Sequence, residues 1–93
     1  MKKLNDHQIK EELQSLNGWE YNGEFIEKSF QFQTFKETFA IMTHIAFESE
    51  LQGHHPDWSN VYNRLHIKLN THDANGITSN DFLLARTIDA IVG

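Results

Sequence analysis

The spacing of apolar positions changes several times along the chain, and glycines and capping residues mark the changes. Ile9, Leu13 and Leu16 recur at helical spacing behind Asn5 and Gln8, with Gly18 as a stop, which predicts a helix over about residues 6–17. Trp19 and Tyr21 precede Asn22-Gly23, and Ile26, Phe30 and Phe32 then fall on period-two positions, the pattern of a two-stranded hairpin. Thr34 with Glu37 three residues on opens a long helix that Gly53 ends after Gln52. Val61, Leu65, Ile67 and Leu69 have strand character, and the Tyr62-Asn63-Arg64 interruption predicts a tight turn dividing two strands. After a loop at Asp73-Ala74-Asn75-Gly76, Thr78 and Asp81 cap a final helix bearing Phe82, Leu84, Ala85, Ile88 and Ile91.

The resulting order, αββαββα, makes the class α+β. Strands joined by short hairpins run antiparallel, and three helices need one sheet face to bury their stripes, so a four-stranded antiparallel sheet with three helices on one face is expected. The opposite face is left for polar residues or ligand. The length, 93 residues, is that of one domain, expected over residues 1–93. On the long helix, one stripe holds Phe35, Phe39, Met42 and Ala46, while Ile41, Ile45, Phe47 and Leu51 widen the apolar surface beyond what a surface helix needs. That excess predicts a homodimer or homotetramer.

Charge and composition narrow the functional classes. A net charge of -5 with no Lys/Arg stripe excludes a direct nucleic-acid interface. Without cysteine there is no disulfide, thiolate metal site or Cys nucleophile. The polar segment Met1 to Lys10 has no apolar leader, and no stretch is long enough to cross a membrane, so a cytoplasmic address and no membrane partner are expected. Six histidines among 93 residues direct attention to proton chemistry, because imidazole titrates near neutral pH.

His7, His44 and His66, taken singly, read as solvated or hydrogen-bonded residues. Glu50-Leu51-Gln52-Gly53-His54-His55-Pro56 is different. It sets a carboxylate one helical turn before a glycine stop, then two adjacent imidazoles in a proline-held turn. His72, near the end of the last strand, meets them if that strand end lies beside the helix terminus. Three imidazoles and a carboxylate also resemble a zinc ligand set, but vicinal His54-His55 is a poor chelate because successive side chains seldom converge. No metal is expected.

Glu50, His54-His55-Pro56, Tyr62, His72 and Asp81, at these spacings, resemble the signature of the pterin-4a-carbinolamine dehydratase family. Gly18-Trp19, Pro56-Asp57-Trp58, Val61-Tyr62-Asn63, His66-Ile67, Thr71-His72 and Gly76-Ile77-Thr78 extend the resemblance over essentially the whole chain. Gly53 departs from the polar Asn or Asp of many relatives. The resemblance implies a cofactor-free hydro-lyase that removes water from a 4a-hydroxytetrahydropterin to give quinonoid dihydropterin, in tetrahydrobiopterin recycling for an aromatic amino acid hydroxylase. It implies His54 and His72 as the acid groups at the C4a hydroxyl, with His55 holding the pterin. Glu50 favours the cation of a neighbouring imidazole, and Asp81 is a capping residue with an indirect role. The catalytic set expected is His54, His55, His72 and Glu50; Thr71 and Asp81 are expected with His55 in the substrate-binding set, and Trp58 is expected either to stack on the pterin or to pack in the core. The rival is a non-catalytic dimerisation or coactivator module, because animal members of this family also serve a homeodomain transcription factor.

Overall fold

The computed structural model describes residues 2–93 of the expected 1–93 domain; residue 1 lies outside the described residues. The elements are α1 (Asp6–Leu13), β1 (Glu20–Tyr21), β2 (Ile26–Gln31), α2 (Phe35–Gln52), β3 (Asp57–Val61), β4 (Arg64–Leu69), a 3-10 turn (His72–Ala74) and α3 (Ser79–Val92). The predicted αββαββα order stands. The four strands form one antiparallel sheet in the order β1-β2-β4-β3, so β4 is inserted between the two strands that α2 connects.

Strand alternation separates the two faces. Ile26, Phe30, Leu65, Ile67 and Leu69 point to the helices and join Ile9 of α1, Ile45 of α2 and Phe82, Leu84, Ala85 and Ile88 of α3 in one core. The other face carries cross-strand rows of polar side chains: Glu27, Lys68 and Asp57 form one row and Ser29, His66 and Ser59 the next.

The caps act as the sequence predicts. Asn5 and Gln8 form a reciprocal capping box on α1, and Thr34 Oγ1 accepts from the Glu37 amide at 3.0 Å. Helix α1 is shorter than expected, ending at Leu13, and the chain to Gly18 continues as turns in which the Ser15 and Leu16 amides donate to the Glu12 and Leu13 carbonyls. In the first hairpin the Asn22 amide donates to the Phe25 carbonyl at 3.0 Å while Asn22 Oδ1 accepts from the Glu24 and Phe25 amides, so the central turn residues are Gly23-Glu24, not Asn22-Gly23, and β1 is short. Trp19 lies outside β1, buried, with its indole N–H donating to Asp89 of α3 at 3.0 Å.

Of the apolar positions on helix α2, only Ile41, Met42 and Ile45 belong to the inner face. Thr38, Ile45 and Ser49 are buried, with Ile41 and Met42 packed beside them, whereas Phe35, Phe39, Phe47 and Leu51 are exposed. The buried Thr38 hydroxyl is satisfied by donating back to the Thr34 carbonyl at 2.8 Å, whereas the buried Ser49 hydroxyl has no hydrogen-bond partner among the described residues. Among the described residues, no helix is long and apolar enough to cross a membrane.

Candidate functional site at the β3/β4 end of the sheet

The last turn of α2 aims the first histidine. Gly53 takes the left-handed conformation, φ 64°, its amide donates to the Glu50 carbonyl, and the His54 amide donates to the Ser49 carbonyl at 3.1 Å. This pair of bonds is a Schellman closure, which turns the chain sharply out of the helix. His54 is thereby directed beneath the start of α3, with its ring 11% exposed.

There it meets Asp81. The carboxylate has no exposed surface and is held from three sides: Oδ2 accepts from the Thr78 amide and from Thr71 Oγ1, each at 2.8 Å, and Oδ1 lies 2.5 Å from His54 Nε2. Thr71 and Thr78 hydroxyls are themselves 2.7 Å apart. A buried carboxylate needs donors on both oxygens, so in this arrangement Nε2 carries a hydrogen toward Asp81. Nδ1 has no protein partner among the described residues. Asp81 is also the third residue of α3, so its charge lies where the helix dipole favours an anion.

Register explains why residues 27 positions apart meet. β3 and β4 are antiparallel with Asp57 opposite Lys68, which brings the chain entering β3 and the chain leaving β4 to one end of the sheet. His54 and Thr71 occupy that end and share Asp81. His72 follows Thr71 directly, in the 3-10 turn, and is exposed. His55 is exposed beside Glu50, with Nε2 to Oε2 of 3.6 Å and side-chain exposures of 61% and 76%, a solvated pair of little energetic weight. The carboxylate that engages the inner imidazole is therefore Asp81, while Glu50 attends His55. Trp58 stands on the helix-facing side of β3, registered against Ile67, half-buried and packed against the core.

Several clefts lie elsewhere. One of about 790 Å3 runs between the α1 cap and the 75–77 loop, and others of about 410 and 440 Å3 lie on the open sheet face; none of them is lined by His54, His55 or His72. Among the described residues, no group of three or more His, Asp or Glu side chains is placed to hold a metal ion.

Comparison with known proteins adds the chemical context. The model of the family described as pterin 4 alpha carbinolamine dehydratase matches residues 2–91. A protein of Christiangramia forsetii, provisionally named pterin-4-alpha-carbinolamine dehydratase, is 53% identical over 92 residues, covering 99% of this chain and 95% of its own. A similarly named Aquifex aeolicus protein is 39% identical over 99% of this chain and 93% of its own. Among solved structures, a transcriptional coactivator/pterin dehydratase from Brucella melitensis superposes with a TM-score of 0.95 at 39% identity, covering 99% of this chain and all of that one. A pterin dehydratase-like RuBisCO assembly factor of the alpha-carboxysome shares the fold, with a TM-score of 0.72 at 24% identity over 83% of this chain and 92% of its own.

Proposed function

The chain belongs to the pterin 4 alpha carbinolamine dehydratase family, and from that membership and the geometry around Asp81 we propose that it dehydrates a 4a-hydroxytetrahydropterin by histidine acid/base catalysis. Breaking the C4a–O bond requires a proton on the departing hydroxyl and loss of the N5 proton, after which the N5 electron pair forms the new double bond to C4a. The observation that carries the proposal is the buried Thr71–Asp81–His54 chain. Asp81 fixes the ring of His54 through Nε2 and stabilises the imidazolium whenever Nδ1 is protonated, the same logic as a carboxylate behind a catalytic histidine.

His54 and His72 serve as the two acids, acting on opposite faces of C4a, and His55 holds the pterin. Thr71 acts through Asp81 as a positioning residue. No cofactor is required by this chemistry, since positioned imidazoles supply both proton transfers. The natural source of substrate is an aromatic amino acid hydroxylase, in tetrahydrobiopterin recycling in the cytoplasm.

The test is the double variant His54→Ala with His72→Ala, which should approach the uncatalysed rate with both C4a stereoisomers, whereas each single variant lowers kcat and slows chiefly one isomer. His55→Ala should raise KM more than it lowers kcat. A double variant that keeps the parent kcat overturns histidine acid catalysis at these positions.

The exposed apolar face of α2, with Phe47 69% and Leu51 80% exposed, supports a homo-oligomer, and light scattering at micromolar concentration should show a dimer or tetramer. A stable monomer would count against it. The same face favours a second reading, a coactivator-type binding module; the Brucella melitensis protein carries both descriptions. A transcription factor retained in a pulldown, with no measurable carbinolamine dehydration, would establish that reading instead.

A further inference from the structure

On the open face of the sheet, remote from the helix-side contact of His54 with Asp81, three side chains from two strands form a second hydrogen-bonded chain. Ser29 and His66 are direct cross-strand partners, and Ser29 Oγ lies 2.6 Å from His66 Nδ1. The other ring nitrogen, Nε2, lies 2.8 Å from Glu27 Oε1, and Glu27 Oε2 is held at 2.5 Å by Asn22 Nδ2. Ser29 is exposed at the floor of a cleft of about 410 Å3 that His66, Gln31, Arg64 and Ser59 also line.

We propose that this face carries a second site, in which Ser29 is a base-activated hydroxyl that takes acyl groups from activated esters, with His66 as the base and Glu27 as the group that orients it. A carboxylate accepts only, so Glu27 places the ring hydrogen on Nε2 and leaves Nδ1 to accept from the Ser29 hydroxyl. The His66 hydrogen bond also holds the Glu27 carboxyl below the ordinary carboxylate range. This is the nucleophile, base and orienting-acid order of the serine triad with the two ring nitrogens exchanged. Gln31 and Arg64, registered partners one pleat further along the same face, line the cleft and supply donors for an oxyanion.

The step balances without a co-reactant. Ser29 Oγ bonds to the acyl carbon while its proton passes to Nδ1, the ester C–O bond breaks, the phenolate leaves, and Nδ1 then gives its proton to solvent, which restores the neutral ring. Water then attacks the acyl-serine with Nδ1 again as base, releasing the acid and the free hydroxyl. The substrate class is a small ester with a good leaving group.

The experiment uses the full chain and p-nitrophenyl acetate, read as nitrophenolate release and by intact mass with peptide mapping. The expected result is a burst of about one nitrophenolate per chain and one hydroxylamine-labile acetyl group on Ser29. Ser29→Ala should abolish the burst, and His66→Gln should slow it about 10² to 10⁴-fold, the usual contribution of a positioned base. Glu27→Gln should slow it by less, and carbinolamine dehydration should be unchanged in Ser29→Ala, which separates this site from the one at His54. Circular dichroism of each variant confirms that it is folded. Acetylation confined to lysines or to Ser59, or a burst unaffected by His66→Gln, overturns the proposal.

Discussion

Replacing Asp81 with Asn tests the centre of the candidate site while keeping its shape. The carboxylate now accepts three hydrogen bonds in a place without solvent. An Asn side chain has one oxygen, which must stay toward the Thr78 amide and the Thr71 hydroxyl, so its NH2 group faces His54. His54 then has to accept at Nε2 and carry its hydrogen on Nδ1, the tautomer opposite to that of the parent. Loss of one charge-assisted bond costs about 1–3 kcal/mol, and each kcal/mol lowers Tm by about 4–8 °C in a domain of this size. Asp81→Ala would instead strand three donors at about 1–3 kcal/mol each, a sum comparable with a total stability of about 5–15 kcal/mol, so Asn is the informative variant. For a histidine whose carboxylate partner is made neutral, the precedent of the serine triad is a fall of about 10⁴-fold in kcat. The assays are calorimetry for Tm, nitrogen NMR for the His54 tautomer, and stopped-flow for kcat. A folded Asp81→Asn protein with the inverted tautomer and an unchanged kcat would refute the role given to this pair.

Two predictions concern stability. Because Glu27 is held below its unfolded carboxylate range, chiefly by its hydrogen bond to His66, its contribution is present above about pH 4.3 and is lost as pH falls through the lower folded value. Glu27→Gln should therefore flatten the acid limb of the stability profile and leave its neutral-to-alkaline shape intact, as urea titrations at several pH values would reveal; an unchanged acid limb would deny that linkage. At Gly53, φ is 64° and an added Cβ would meet nothing within 4 Å, so Gly53→Ala should cost about 1–2 kcal/mol of backbone strain alone. Gly53→Asn should cost less, since Asn tolerates the left-handed region, and equal midpoints for Ala and Gly would contradict this account.

The elements closed by explicit chemistry were legible in the sequence. The Thr34 cap and Gly53 stop bound α2 and Thr78 with Asp81 opens α3, each where the structure has it, while the turn expected at Tyr62-Asn63-Arg64 divides β3 from β4 but spans only Tyr62-Asn63, Arg64 already opening β4. The end of α1 was not, because Leu16 continues the helical spacing while its segment is already turning. The inner face of α2 was illegible for a related reason. Apolar residues surround much of that helix, and Thr38 and Ser49 take buried places that periodicity assigns to larger side chains.

The site divides in the same way. Motif spacing singled out His54, His55, His72 and Asp81, but not the His54–Asp81 contact, which depends on how the start of α3 docks beneath the end of α2. His66 looked like a solvated residue because its partners, Ser29 and Glu27, are adjacent only through the β2/β4 register. Cross-strand register links residues 37 and 39 positions apart and leaves no local trace in the chain.

The most direct test of the central claim is stopped-flow ultraviolet absorbance of 4a-carbinolamine decay with and without the purified protein, comparing the parent chain with the His54→Ala/His72→Ala double variant. The parent should accelerate formation of the quinonoid dihydropterin for both C4a stereoisomers, and the double variant should return close to the spontaneous rate. Decay in the presence of the parent protein no faster than in buffer would contradict it.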